Sequence, residues 1–249
     1  EGFVRTINFS PGYHIKITPQ QYAAKVQIAR RLIETNQYKG VLDDMGEALG
    51  RSRYNTREKV GVEPFAYATS SAFNYMQSEE NLAIASDSHT TKSGTSTSTG
   101  FDNLGTGAFN KTNLATTRLA FMGLKNDVSE RIDIPDDLCI VAPSTLQEAV
   151  FEATETQRGL DTAEGNESFH YKRYDVLILP RLDDYDTNNW ALVSKSRMKK
   201  FLIWLNGAGA NGELDTSYDK DTRIYETFIY DVFGWGCKNW RFMYFNQVS

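Results

Sequence analysis

The chain has 249 residues, 40% of them hydrophobic and 12% aromatic, which suffices for one large domain or two small ones sharing a core. Charged residues make up 24%, and no apolar run approaches the roughly 20 residues of a bilayer span, so disordered and membrane-spanning classes are excluded. A net charge of −5 argues against a duplex-gripping protein with a basic face, and two cysteines, Cys139 and Cys237, outside any Cys-x-x-Cys pair, argue against a disulfide scaffold and fit a reducing site of synthesis.

The chain opens at Glu1 without methionine or a signal-peptide pattern, so processing or trimming upstream is expected. Residues 3–17 alternate as extended chain, with Val4, Thr6 and Asn8 on one side of a pleat and Tyr13, Ile15 and Ile17 on one side of another. Ser10-Pro11-Gly12 turns between them. Thr18-Pro19-Gln20-Gln21 reads as a capping box, with Ile17 and Tyr22 as a hydrophobic staple. Behind it Tyr22, Val26, Ala29 and Ile33, then Val41, Met45 and Leu49, repeat at helical spacing. The expectation is a helix over residues 18–50, about 48 Å long, weakened at Gly40 and Gly46.

A short helix is expected over residues 70–76, with Ala72, Phe73 and Met76 inward. Residues 88–107 are rich in Ser, Thr and Gly and read as a loop, mobile or draped over a surface. Asn110 or Thr112 caps a helix through Leu114, Arg118, Leu119, Met122 and Leu124. Leu138-Cys139-Ile140-Val141-Ala142 is a buried strand stopped by Pro143, and Ser144 opens a helix through Leu146, Ala149, Val150 and Ala153. Residues 157–166 form a polar loop, and Val176-Leu177-Ile178-Leu179 a second buried strand ending at Pro180. Strands follow over residues 190–195, 200–206, 224–233 and 240–245, with a long connection at 207–222. The class is α+β.

Several motifs invite chemistry. Gly207-Ala208-Gly209-Ala210-Asn211-Gly212 has dinucleotide-loop spacing, but the polar, aperiodic residues behind it make no helix to hold a pyrophosphate. Asp215, Ser217, Asp219, Asp221 and Glu226 approach calcium-loop spacing, with Lys220 where the loop needs glycine. His14, His89 and His170 are too far apart in sequence to pair as metal ligands. Asp43-Asp44 and Asp183-Asp184 are adjacent acids whose side chains diverge. Asn8, Asn110 and Asn166 begin glycosylation sequons, which matter only for a secreted protein. Trp235, Trp240, Phe242, Tyr244 and Phe245 lack the basic groove of a single-strand binder and read as packing residues. No catalytic, cofactor-binding or metal residue is assigned, and no cofactor is expected.

In their order, these segments resemble the major capsid proteins of tailed bacteriophages with the Hong Kong 97-type fold, which encapsulin compartments share. Thr18-Pro19-Gln20-Gln21 is similar to the opening of the family's spine helix. Thr112-Asn113-Leu114, the run from Ile134-Pro135-Asp136-Asp137 to Pro143-Ser144-Thr145-Leu146, and Val176 to Leu182 resemble its axial α/β domain. Val232-Phe233-Gly234-Trp235-Gly236-Cys237-Lys238-Asn239-Trp240-Arg241 is similar to the closing hairpin. Family members usually place an arm and a long two-stranded extension before the spine helix. Residues 1–17 alone precede it here, which puts clamping by an arm in doubt.

The resemblance implies a long spine helix, a peripheral β-sheet domain and an axial α/β domain. The divisions would be an arm base at 1–18, spine helix and peripheral part at 19–68, axial domain at 69–180, a second peripheral part at 181–232 and a closing strand at 233–249. It implies a non-enzymatic subunit that self-assembles head to tail into pentamers and hexamers of a closed shell around phage double-stranded DNA, contacted non-specifically. The loop at 157–166 would point to the ring axis and that at 207–222 to where rings meet, while the spine helix and residues 3–17 reach across neighbours. Portal, scaffold and decoration proteins are the further partners implied, with no membrane. The virion is the expected location and the host cytoplasm the site of synthesis. An encapsulin-type shell is the same fold with enzyme cargo. The rival from another class is a small hydrolase or nucleotide-cofactor enzyme.

Overall fold

The computed structural model describes residues 12–35, 39–71, 76–157 and 168–248. Two sheets carry the fold. The first is five-stranded, in the order β4 (Leu104–Gly105), β10 (Met243–Asn246), β7 (Trp190–Ser194), β5 (Leu138–Ala142), β6 (Asp175–Ile178). Strands β5 and β7 are buried at every position, as an apolar run packed on both faces must be. Helices α3 (Lys111–Met122) and α4 (Gln147–Thr154) belong to this unit, and its core includes Phe101, Leu114, Phe121, Leu192, Trp190, Phe242 and Met243. The Asn110 side chain accepts from the Asn113 amide at 2.8 Å, which settles the cap of α3 on Asn110 rather than Thr112.

The second sheet is three-stranded: β2 (Gln20–Ala29), β9 (Ile224–Cys237) and β8 (Leu202–Asp219), with β9 central and both neighbours antiparallel to it. A 28-residue helix, α2 (Lys39–Ala66), runs about 42 Å and packs on this sheet. Helix α1 (Arg30–Glu34) leads on from β2. A two-stranded ribbon, β1 (Ile15–Ile17) with β3 (Met76–Ser78), lies beside the end of β9, where Ile17 packs on Gly236.

The helix expected over residues 18–50 is therefore displaced. Thr18-Pro19-Gln20-Gln21 opens a strand, and the long helix comes nearly twenty residues later. Tyr22, Val26 and Ala29 fit a helix, but Tyr22, Ala24, Val26 and Ile28 fit a pleat equally well. Ten paired positions against β9 decide between them. The connection expected at 207–222 is also corrected, since most of it is β8, and the β8–β9 hairpin closes at residues 220–223. Residues 195–201, expected as the end of one strand, a connection and the start of the next, form the short helix α5 (Lys195–Phe201). Trp240 lies in a turn before β10. Strand β6 is not buried, because it is the sheet edge, with Val176 and Leu177 41% and 39% exposed. The helix expected at 70–76 falls mostly outside the described residues, although Met76 is in β3. The loop expected at 157–166 falls outside them apart from its first residue, as do residues 1–11 of the extended segment.

Candidate functional site

The seam between α2 and the three-stranded sheet has the most specific geometry in the molecule. Asp231, on the helix-facing side of β9, has a side chain only 4% exposed. It accepts from Arg53 Nε, Arg57 Nε and Arg57 Nη2, each at 2.8 Å. Burial works to raise its pKa, but the arginine hydrogen bonds overcome that and hold the carboxyl below its ordinary range. Arg57 also lies over the Phe233 ring, 5.1 Å from its centroid, and Phe233 is stacked by Tyr22 at 4.4 Å and Trp204 at 5.3 Å. One turn further on, Trp235 Nε1 donates to Glu63 Oε2 at 3.2 Å. Leu49, Arg53, Arg57 and Val60 thus form one inward row at helical spacing.

That row explains the glycine segment. Between Asn206 and Leu214 the pairing of β8 with β9 shifts register twice, so β8 bulges beside Asp231. Gly212 has φ +71°, and a Cβ there would run into the Arg53 guanidinium. Gly207 likewise has no room, since its Cβ would come 2.7 Å from the Val232 Cβ. Gly212 serves helix-on-sheet packing and Gly207 the close approach of β8 to β9, and strand rather than a phosphate-binding helix follows them.

The remaining tempting residues are spread across the molecule. Asp215, Ser217 and Asp219 lie along β8. Asp219 closes the hairpin turn through the Asp221 amide and the Thr222 hydroxyl, and Glu226 is held by Lys25 and Gln27. Asp183 accepts from the Ser144 amide and hydroxyl, while Asp184 is exposed. Asp44 is exposed on α2, and nothing is described of the Asp43 side chain. Among the described residues no group of three or more His, Cys, Asp or Glu could hold a metal ion.

Sequence reasoning missed the network around His89. Its ring is stacked flat on Trp240 at 4.0 Å, with Nδ1 facing Glu80 at 3.2 Å and Nε2 facing Asn103 Oδ1 at 3.1 Å. Asn103 is fully buried, takes the Ser86 amide on Oδ1 and donates from Nδ2 to the Ile84 carbonyl at 2.9 Å. Together with buried Phe101, this nails the Ser/Thr-rich segment to the core. His170 is also buried, hydrogen-bonded to Tyr174, and its pKa is lowered by burial, then by Arg118, Lys111 and Arg173. His14 is exposed and pairs with Glu79. Trp235, Trp240, Phe242 and Phe245 are buried, as expected of packing residues.

Large apolar side chains stand exposed on several separate elements. Phe151 of α4 is 63% exposed beside the open edge of β6, and Leu119 of α3, Leu214 of β8 and Tyr230 of β9 are also exposed. No described helix is long and apolar enough to cross a membrane.

Among solved structures, the asymmetric unit of the bacteriophage PhiM1 mature capsid is similar at 9% identity and a TM-score of 0.57, with 94% of this chain and 72% of that one covered. The capsid of an empty GTA particle is similar at 11% identity and 0.54, covering 94% and 73%. The holo-SrpI encapsulin complex of Synechococcus elongatus PCC 7942 is similar at 11% and 0.52, covering 92% and 73%. No curated protein matches the sequence. A family model described as phage capsid protein matches residues 13–246. The chain therefore belongs to the phage capsid protein family, as a non-enzymatic α+β shell protein of the virion with the Hong Kong 97-type fold.

Proposed function

We propose that this chain is the repeating subunit of a self-assembled, closed icosahedral-type shell that encloses double-stranded phage DNA. The observation that carries the reading, beside the family match, is the open apolar groove between Phe151 of α4 and Val176 and Ile178 of the β6 edge strand. A monomer gains nothing by leaving such a groove wet, whereas a subunit with a head-to-tail neighbour covers it. The three-stranded sheet with α2 is the peripheral domain and α2 its spine helix. The five-stranded sheet with α3 and α4 is the axial domain, and the divisions at 1–18, 19–68, 69–180 and 233–249 carry over with that meaning, while within 181–232 the peripheral part begins only after β7, a strand of the axial sheet. Pentamers and hexamers are the rings. Portal, scaffold and decoration proteins are the further partners, and synthesis is in the host cytoplasm.

Size-exclusion chromatography with electron microscopy of the purified chain tests this. Closed particles of uniform diameter are expected, and a persistent monomer at high concentration refutes the reading. The likeness to an encapsulin favours a second reading, a shell with protein cargo. Nuclease-protected nucleic acid inside particles purified from phage-producing cells separates the two.

A further inference from the structure

The chain is acidic overall, yet α5 (KSRMKKF) carries four basic side chains, Lys195, Arg197, Lys199 and Lys200, and no acid. No other described helix or strand combines four basic residues with no acidic one. The acids nearby are engaged at its first turn. Asp137 accepts from the Ser194 hydroxyl and the Ser196 amide, and Asp175 pairs with Lys195. Arg197 is half-buried and donates to the carbonyls of Asp133 and Arg241. At the other end the charges are unmatched. Lys199 and Lys200 are exposed, and the Lys238 amide donates to the Phe201 carbonyl at 2.8 Å, which brings a third exposed lysine to the same spot. Among the described residues none of these three enters an ion pair, and Lys200 lies only over the Phe201 ring. One pair of cations at a helix C-terminus is ordinary, because it complements the dipole. A third lysine, delivered from the residue just past β9, is not explained that way.

We propose that Lys199, Lys200 and Lys238 form the phosphate-contacting patch through which the subunit meets duplex DNA, an inference that rests on the shell reading above. Glu80 and Asp127, which line a pocket with Lys238, are engaged by His89 and Arg241, and three lysines without base-reading side chains suit a backbone contact that ignores sequence. Carried by every subunit of a ring, three such charges hold a packaged duplex loosely without making the chain basic.

The test compares the full-length wild type, kept below its assembly concentration, with K199Q/K200Q/K238Q and with K16Q/K59Q/K220Q, a control of equal net charge. Binding of a fluorescein-labelled duplex is followed by anisotropy over about 50 to 200 mM salt. The patch variant should lose about 2 to 3 from the slope of log affinity against log salt, so that the wild type falls about 40-fold more than the variant over that range. The control should keep the wild-type slope, and both variants should give particles of wild-type diameter. Equal slopes for the two variants, or no duplex binding by a wild type that still forms particles, overturns the patch and leaves the shell reading standing. Loss of particles in the patch variant alone makes the patch a subunit contact instead. Polyglutamate bound as tightly as duplex of equal charge, with the same loss in the variant, makes it a general anion site and removes the assignment to DNA.

Discussion

Replacing Asp231 with asparagine is the sharpest probe of how the long helix is held. The carboxylate is nearly sealed from water and takes three charge-assisted hydrogen bonds, while Arg53 and Arg57 keep about 30% of their side-chain surface in solvent. Breaking a buried pair by removing one partner costs about 3 to 5 kcal/mol. The part-exposed arginines can rehydrate, which places D231N at the low end, about 3 kcal/mol. Urea denaturation of the unassembled subunit measures it. The folded pKa of Asp231 is depressed from 3.8, so its contribution is whole above that value and is lost as pH falls through the folded pKa. The gap between wild type and D231N should thus be constant near neutrality and close below about pH 4. Asp231→Leu with Arg53→Met and Arg57→Met should recover to within about 1 kcal/mol of wild type, because a packed apolar replacement leaves no stranded charge. A D231N loss under about 1 kcal/mol at pH 7 would refute the seam as a buried ionic lock.

Trp235→Ala and Trp240→Ala remove side chains 1% and 8% exposed, and each should cost about 3 to 5 kcal/mol and abolish soluble particles, read by denaturation and electron microscopy. Asn103→Ala strands the Ser86 amide and the Ile84 carbonyl in the core and should cost about 2 to 3 kcal/mol, with faster proteolysis of the segment before α3 as a second readout. Gly212→Ala forces a left-handed backbone and displaces Arg53, so its loss should fall well below additivity with that of D231N when the two are combined. Burial pushes the thiol of Cys139 up to about 11 and that of Cys237 up to about 12, so at pH 8 iodoacetamide should modify neither until the chain is unfolded, as mass spectrometry would show.

Most of the five-stranded unit was legible from sequence because its signals are local, although β4 fell inside the expected loop at 88–107. β5 and β7 are short runs of apolar residues, Pro143 stops β5, and Asn110 caps α3 three residues before the amide it accepts from. Of the three-stranded unit, β9 and the start of β8 were legible, but β2 and the placing of α2 were not, for two physical reasons. Residues 20–29 satisfy both periods, and what selects the strand is a partner two hundred residues away in sequence. In α2 the inward row contains Arg53 and Arg57 where an apolar stripe would be sought, so the helix stops looking amphipathic at the point where its packing is most specific. Gly207 and Gly212 flank a bulge, and the closeness of β8 to Val232 of β9 and to Arg53 of α2 that demands them is invisible without the fold. His89 gave no signal because its partners, Glu80, Asn103 and Trp240, come from three separate stretches of chain.

The chemistry of the seam bears on the surfaces left bare. An apolar helix-on-sheet contact has nearly equivalent positions one turn apart, since its energy depends on area and not direction. Two arginines converging on one carboxylate have directional requirements, and sliding α2 by a turn would leave Asp231 with one arginine where it now has two. The internal contact is thus fixed by charge. Around the open edge of β6 the exposed side chains of Phe151, Val176 and Leu177 are apolar, and apolar contact tolerates the small changes of angle that the ring environments of the proposed shell would impose. Under that proposal the subunit is fixed internally by directed charge and would meet a neighbour along this edge by more forgiving apolar contact.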